Sequence, residues 1–366
     1  MKINWDIVLL IAALFSVIGT ATIYVRTQRA NDQAFPSIEA PELLTEPQSG
    51  EMIPVPAGEF QMGRPSEEKG WIDALPVHPV YLDHYLIGKY PVTNNEYAAI
   101  LNWAFSRGYL QDKRGNAYTG GVVYAYGRAV AEIQDSNKRS QINFDDCDFV
   151  VCSRSGHGGQ LFSMADHPVV CVSWYGAVCY CNWLSEEQKL DPCYDTETWE
   201  RYETVRNGYR LPTEAEWERA AAWDGEKHWI YGMTSDSVDH AKANYGYANP
   251  WGFADEPCTT PVGWYDGVNP AQLRKPQKTT VDARSPIGAY DMSGNVGEWC
   301  HDWYNENYYV VSPGKNPSGP MLGDFKILRG GFWNGYAGQC RTALRRSYTP
   351  VNRKQHYVGF RLARTP

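Results

Sequence analysis

Glycine and proline interrupt this sequence so often that long helices are disfavoured over most of its length. The 366-residue chain contains 33 glycines and 23 prolines, and both residue types end regular structure and favour turns. It also contains 14 Trp and 25 Tyr, which supply ample apolar surface for a core. Length and composition therefore predict one large or two ordinary domains, built irregularly and rich in loops rather than as a helical bundle.

The N-terminus carries an uncharged apolar segment, IVLLIAALFSVIGTATIYV at residues 7–25. A helix of this length can cross a bilayer. Lys2 and Asp6 precede it and two arginines follow it, so the flanking charges decide its orientation poorly. We expect residues 1–26 to be a membrane anchor in a bacterial inner membrane, with the rest in the periplasm or exterior. A cleaved signal peptide and a buried terminal helix stay open as alternatives.

Residues 27–50 are polar, contain proline and lack periodicity, which indicates a tether. From residue 51 to 366 the pattern changes to that of a folded domain, and short apolar segments broken by turn formers predict strands at 52–63 and 80–90. Residues 106–165 are predicted to be loops with one hairpin. The net charge of −8 argues against nucleic acid as a partner, since phosphate binding needs a basic face.

Three helix starts are marked by capping residues. Thr93 and Thr213 are each followed three residues later by a glutamate, the pattern of a capping box. Ser173 precedes a third segment in which apolar residues recur at three- and four-residue spacing. We therefore predict helices that begin directly after Thr93, Ser173 and Thr213.

The chain contains nine cysteines, so an odd one cannot pair within the molecule. Cys147 and Cys152 could bridge a hairpin if the domain lies outside the cytoplasm. Cys171 and Cys179 are expected to be small buried hydrophobic residues.

Six segments in order give the sequence a family resemblance. The segments are MIPVPAGEFQMG (52–63), GKYPVTNNEY (88–97), HPVVCVSWYGA (167–177), YRLPTEAEWE (209–218), DMSGNVGEW (291–299) and the block from LRGGFWNG (328–335) to GFR (359–361). With these segments the chain resembles the formylglycine-generating enzyme, or sulfatase-modifying factor, superfamily. The resemblance implies an irregular, loop-rich α+β fold, a variant of the C-type lectin fold, preceded here by one transmembrane helix.

In the oxidising members of that superfamily, two closely spaced cysteines of the C-terminal block bind copper and carry out the chemistry. Here the first falls on Gly335 and only Cys340 remains, while Phe332 replaces a small polar serine. One thiolate cannot form a two-coordinate Cu(I) site. We therefore expect no copper and no catalytic residue, and Cys340 would act only if the alternative of a metal-dependent oxidase of thiols held.

The resemblance also implies calcium. In relatives, a loop similar to residues 291–298 binds calcium through a glutamate and backbone oxygens, which would be Glu298, Asn295 and the carbonyl of Val296 here. Asn244 belongs to a turn similar to a second calcium site. The alternative is that Asn295 and Glu298 only cap local backbone and pair with an arginine such as Arg329.

A binding role is the remaining prediction, because many members of the superfamily lack the catalytic residues. Aromatic and small polar side chains suit adaptable recognition. The candidates in this block are Trp333, Tyr336, Gln339, Arg341 and Arg345. In the alternative, these aromatics complete the core and the arginines are ion-paired. We expect a non-catalytic accessory subunit whose partner is a protein or a membrane-protein complex.

Overall fold

Short elements connected by long loops make up the domain. The computed structural model describes residues 50–64, 72–111, 118–271 and 278–366. The helices are α1 Asn94–Ser106, α2 Trp174–Glu187, α3 Glu214–Ala222 and α4 Tyr308–Val311. The strands are β1 Met52–Val55, β2 Gly58–Met62, β3 His78–Leu82, β4 Tyr85–Gly88, β5 Tyr118–Thr119, β6 Val122–Ala125, β7 Arg128–Glu132, β8 Ile142–Asp145, β9 Asp148–Val151, β10 Ser153–Ser155, β11 Leu161–Ser163, β12 Tyr209–Arg210, β13 Gly297–Trp303, β14 Lys326–Arg329, β15 Arg346–Tyr348, β16 Val358–Gly359 and β17 Ala363–Arg364.

The three predicted helix starts are confirmed. The Thr93 and Thr213 side chains accept hydrogen bonds from the backbone N–H groups of Glu96 and Glu216, and each glutamate accepts one in return. Ser173 caps α2 by accepting from Gly176 N–H at 3.0 Å. These caps satisfy donors that a helix N-terminus otherwise leaves unpaired, so the helix positions could be predicted from local sequence.

Two four-stranded sheets organise the domain. The first has the order β1-β4-β17-β12, and the second has the order β15-β14-β13-β16. In the second sheet, β13 pairs antiparallel with β14 and parallel with β16. This register places Glu298 between Arg329 on one side and Gly359 on the other. Segments far apart in sequence thereby meet at one point of the sheet.

Large aromatic side chains fill two apolar clusters. One gathers α1, α2 and the sheet residues around Trp174, Trp183 and Trp299. The other packs α3 against β2, β3 and β4, with Trp217 fully buried. The observed mixture of few helices and many short strands agrees with the predicted irregular α+β class.

Residues 118–163 contain more structure than the predicted loops and hairpin. They form the three-stranded sheet β5-β6-β7 and the two-stranded sheets β8-β9 and β10-β11. The β8-β9 hairpin has Cys147 in its turn, whereas Cys152 follows the far end of β9. Four residues of extended strand separate the two cysteines, a distance beyond the reach of a disulfide. The suggested bridge between them is therefore wrong, and Cys171 and Cys179 are fully buried as expected.

The predicted membrane anchor at residues 1–26 and nearly all of the tether at 27–50 lie outside the described residues. Within the ranges that are described, no helix has the length and apolarity needed to cross a bilayer.

Candidate functional site

Strand β14 positions the C-terminal block and ends at Arg329. Gly330 and Gly331 then turn the chain with φ values of 96° and 74°, a region that favours glycine. A Cβ on Gly331 would lie 2.6 Å from the Gln339 carbonyl oxygen and 2.8 Å from Cys340 Cα. The turn therefore brings the start of the block directly against the segment that carries Cys340.

Cys340 is a buried thiol. Its side chain is fully inaccessible and forms no disulfide. Burial raises the pKa of Cys340 to about 12, so the thiolate that binds metal is disfavoured at neutral pH. Across the described ranges, no cluster of His, Cys, Asp or Glu residues suited to a metal ion is found. A single protonated, buried thiol does not fit a copper site.

Aromatic and amide groups surround the position of the missing cysteine. A Cβ on Gly335 would lie 2.6 Å from Gln339 Oε1 and 3.1 Å from the Phe332 ring. The Phe332 ring packs against Tyr357 at a centroid distance of 4.5 Å. Phe332 therefore takes the space beside Gly335 that a reacting side chain would need.

Two buried glutamates of α3 neutralise two arginines of the block. Arg345 Nε and Nη2 donate to Glu214 at 2.8 and 3.0 Å. Arg329 donates to Glu214 at 3.3 Å and also pairs with Glu218. Burial opposes ionisation of Glu218, but the Arg329 guanidinium lowers the pKa of Glu218 to about 2. These charges belong to the interior of the domain.

Glu298 takes part in a third buried pair, which competes with calcium for its carboxylate. Arg361 Nε and Nη2 donate to Glu298 at 2.6 and 2.7 Å, and Trp217 Nε1 donates at 2.7 Å. A guanidinium thus occupies both carboxylate oxygens, where an oxygen-seeking cation would need them. The partner of Glu298 is Arg361 rather than the suggested Arg329.

The side-chain amide of Asn295 forms hydrogen bonds with the backbone of Thr260. Its Oδ1 accepts from Thr260 N–H at 3.0 Å, and its Nδ2 donates to the Thr260 carbonyl at 3.2 Å. Asn244 accepts from Asn295 N–H through its carbonyl and donates through Nδ2 to Cys258. Of the predicted ligands, Glu298 and Asn295 have their side-chain oxygens engaged by Arg361 and by Thr260 N–H. Asn244 Oδ1 is buried without a hydrogen-bond partner among the described residues. Calcium at Asn244, Asn295, Val296 and Glu298 stays a prediction.

The five predicted binding residues separate into two groups. Trp333 and Arg345 are buried in this structure, so neither side chain lies at the surface of the domain. Trp333 donates to the His356 carbonyl at 3.1 Å, while Arg345 belongs to the pair with Glu214. Tyr336 is 59% exposed, and Gln339 and Arg341 are partly exposed. These three remain at the surface.

The surface around Phe332 forms what we call the aromatic face. Tyr348 and Tyr357 share a hydroxyl–hydroxyl hydrogen bond of 2.9 Å, and the Arg346 guanidinium lies 5.0 Å from the Phe332 ring centroid. Sequence reasoning missed Tyr247, which is 59% exposed and packs edge-on against Trp333; no local signal marks it, because it comes from a distant loop. The aromatic face comprises Tyr247, Tyr336, Arg346, Tyr348 and Tyr357, with the buried ring of Phe332 beneath them.

A separate open cleft of about 800 Å³ lies between segments 224–242 and 281–288. Its Arg284 is paired with Asp282 at 2.6 Å, and Lys242 donates to the hydroxyls of Ser235 and Ser237 at 3.0 Å. None of the block residues lines this cleft. The aromatic face therefore remains the candidate site of the C-terminal block.

Comparison with known proteins identifies relatives along nearly the whole chain. Residues 39–366 match the family described as sulfatase-modifying factor enzyme 1-like domain. The serine/threonine-protein kinase Pkn1 of Chlamydia trachomatis is 30% identical over 89% of the chain, which spans only 40% of that kinase. The formylglycine-generating enzyme of Thermomonospora curvata is 27% identical over 86% of the chain and 93% of the relative.

Solved structures show the same fold. Treponema denticola variable protein 1 is similar with a TM-score of 0.55 and 25% identity, covering 86% of this chain and 95% of that one. PvdO from Pseudomonas aeruginosa is similar with a TM-score of 0.54 and 22% identity, covering 86% and 94%.

Proposed function

This chain belongs to the sulfatase-modifying factor family, and we propose that it acts there as a non-catalytic binding or accessory subunit. Residues 1–26 would anchor it, and its folded domain would work at the outer face of the membrane. The partner would be a protein or a membrane-protein complex. The family membership rests on the match over residues 39–366, and the role rests on the chemistry of the C-terminal block.

The observation that carries this proposal is the state of Cys340. A copper-dependent oxidase of thiols needs two soft ligands that a substrate thiol can approach. Cys340 is fully buried, and burial raises its pKa to about 12. Beside it, Gly335 supplies no side chain and Phe332 with Tyr357 fills the neighbouring space. These features support a loss of the oxidase chemistry.

The aromatic face supports binding in its place. Tyr247 and Tyr336 are each 59% exposed, and tyrosine offers large contact area at low conformational cost. Arg346 and Tyr348 of the face lie on β15 of the sheet β15-β14-β13-β16, whose β14 is held by the buried ion pair of Arg329 with Glu214. A paired sheet combined with exposed tyrosines fits recognition of a partner surface.

Oxygen uptake by the full chain tests the non-catalytic role. The detergent-solubilised protein, supplied with Cu(I) and a cysteine-containing sulfatase peptide, should consume oxygen no faster than its Cys340→Ser variant. Cys300→Ser is the matched control, since Cys300 is equally buried and also free. Turnover that Cys340→Ser abolishes and Cys300→Ser retains would refute the proposal.

Membrane extraction tests the anchor. The full chain should stay in the membrane fraction through alkaline carbonate washing, whereas a variant lacking residues 1–26 should be released. Release of the full chain under the same conditions, with residues 1–26 still present by mass spectrometry, would contradict anchoring.

A further inference from the structure

Arg346 differs from the other arginines around it. Arg329, Arg345 and Arg361 each pair with a buried glutamate. Arg346 directly follows Arg345 but forms no ion pair with a carboxylate among the described residues. Its buried Nε also lacks a hydrogen-bond acceptor there, as does the Nε of Arg329. A guanidinium that is partly buried without an anion is costly. Such a group is suited to an anion that arrives from outside the chain.

The surroundings of Arg346 provide further ligand contacts. Its guanidinium stacks on Phe332 at 5.0 Å, and the Phe332 ring packs on Tyr357. In the Tyr348–Tyr357 pair, one hydroxyl donates to the other. The accepting hydroxyl keeps its own hydrogen for an additional acceptor. Arg346 and this tyrosine pair therefore offer donors beside an apolar ring.

Two glutamates pair with His356 and Arg353, which are close in sequence to Tyr357. Glu256 lies 3.0 Å from His356 Nε2 and 3.3 Å from Arg139. Glu132 lies 3.4 Å from Arg353 Nε. Neither compensates Arg346, although the whole chain has a net charge of −8. The aromatic face is thus a local site for negative charge on an acidic protein.

We propose that Arg346 and the Tyr348–Tyr357 pair bind a carboxylate from an acidic segment of a protein partner, with an apolar side chain of that segment on the aromatic face. The inference rests on the proposed binding function and names the chemistry of its partner. A carboxylate matches the planar guanidinium. A phosphate dianion would be left with excess charge, because Arg346 is the one cation of the aromatic face, and the described residues provide no second one there.

Peptide selection with the full chain in nanodiscs tests this chemistry. A displayed random peptide library should yield binders enriched in Asp or Glu next to aromatic or aliphatic residues. Synthetic copies of the enriched peptides should bind Arg346→Gln about ten- to a hundredfold more weakly than wild type. Arg346→Lys should bind with intermediate affinity. Arg284→Gln is the matched control, since Arg284 is an exposed arginine paired with Asp282, and it should bind like wild type.

The outcomes separate this inference from the function on which it rests. Binders that lack carboxylates but lose affinity in Tyr336→Ala would overturn the carboxylate assignment and leave a binding face. Acidic binders that are indifferent to Arg346→Gln, with unchanged melting temperature, would overturn it as well. If no peptide is enriched over empty nanodiscs, both the binding function and the carboxylate assignment are wrong.

Discussion

The arginines of the C-terminal block belong to two regions, which differ in whether an internal carboxylate neutralises the guanidinium. In the first, which we call the ion-pair frame, Glu214, Glu218 and Glu298 neutralise Arg329, Arg345 and Arg361. In the aromatic face, Arg346 has no such partner among the described residues. The difference shows that adjacent arginines of one motif can serve different purposes. The arginines of the ion-pair frame hold the fold through internal carboxylates, whereas for Arg346 we propose an anion supplied by a partner.

The largest expected effect comes from breaking the frame at Glu298. Glu298→Gln leaves the buried Arg361 guanidinium without its counter-charge, so the free energy of unfolding should fall by about 3–5 kcal/mol. Chemical denaturation of the full chain measures it. Asp282→Asn, which breaks the exposed pair with Arg284, should cost at most about 1 kcal/mol. If Glu298→Gln and Asp282→Asn lost the same free energy of unfolding, the buried ion pairs would contribute no more stability than the exposed pair.

A pH series sharpens the comparison at Glu218. Its folded-state pKa of about 2 lies below the ordinary value of 4.5. A depressed carboxyl pKa contributes stability that is complete above about pH 4.5 and is lost as pH falls toward 2. The destabilisation caused by Glu218→Gln should therefore shrink by about 3 kcal/mol across that window. Glu59→Gln, an exposed carboxylate, should follow the wild-type profile. If the difference in unfolding free energy between wild type and Glu218→Gln stayed constant with pH, Glu218 would not be an ionised member of the ion-pair frame.

The smallest expected difference in stability is between alanine substitutions at two glycines of the C-terminal block, Gly331 and Gly335. Gly331→Ala places a Cβ against backbone atoms at a φ of 74°, so we expect a loss of about 2–3 kcal/mol. At Gly335 the nearest atom is the flexible end of Gln339, which can move aside, but the Phe332 ring at 3.1 Å must shift by a few tenths of an ångström. Gly335→Ala should therefore cost about 1 kcal/mol, less than Gly331→Ala. Melting curves of both variants provide the comparison. A larger loss for Gly335→Ala would mean that the aromatic face is as constrained as the turn beneath it.

Local sequence was enough to predict the family and the starts of α1, α2 and α3, but it did not predict the four-residue helix α4. Thr93, Ser173 and Thr213 mark helix starts because a cap and its helix lie within a few residues of each other. The six ordered segments identify the fold for the same reason, since each is read within one short stretch. Membership and these three helix starts therefore followed from the sequence.

The placement of individual side chains did not follow from sequence. Arg329 and Arg345 meet glutamates that lie 111 to 131 residues away, so no local pattern distinguishes them from Arg346. Trp333 resembles a recognition aromatic in sequence, yet it is buried beneath His356 and Tyr247. The short strands of 118–163 were missed because a strand of three residues depends on a partner that sequence alone does not reveal.

The strand order β1-β4-β17-β12 has a consequence for synthesis. Strand β17, at Ala363–Arg364, lies inside this sheet and pairs with both β4 and β12. A ribosome that has synthesised the chain only as far as residue 350 has not yet made this inner strand. The sheet can close only after translation of that segment, and until then the edges of β4 and β12 are open to misfolding or to chaperones.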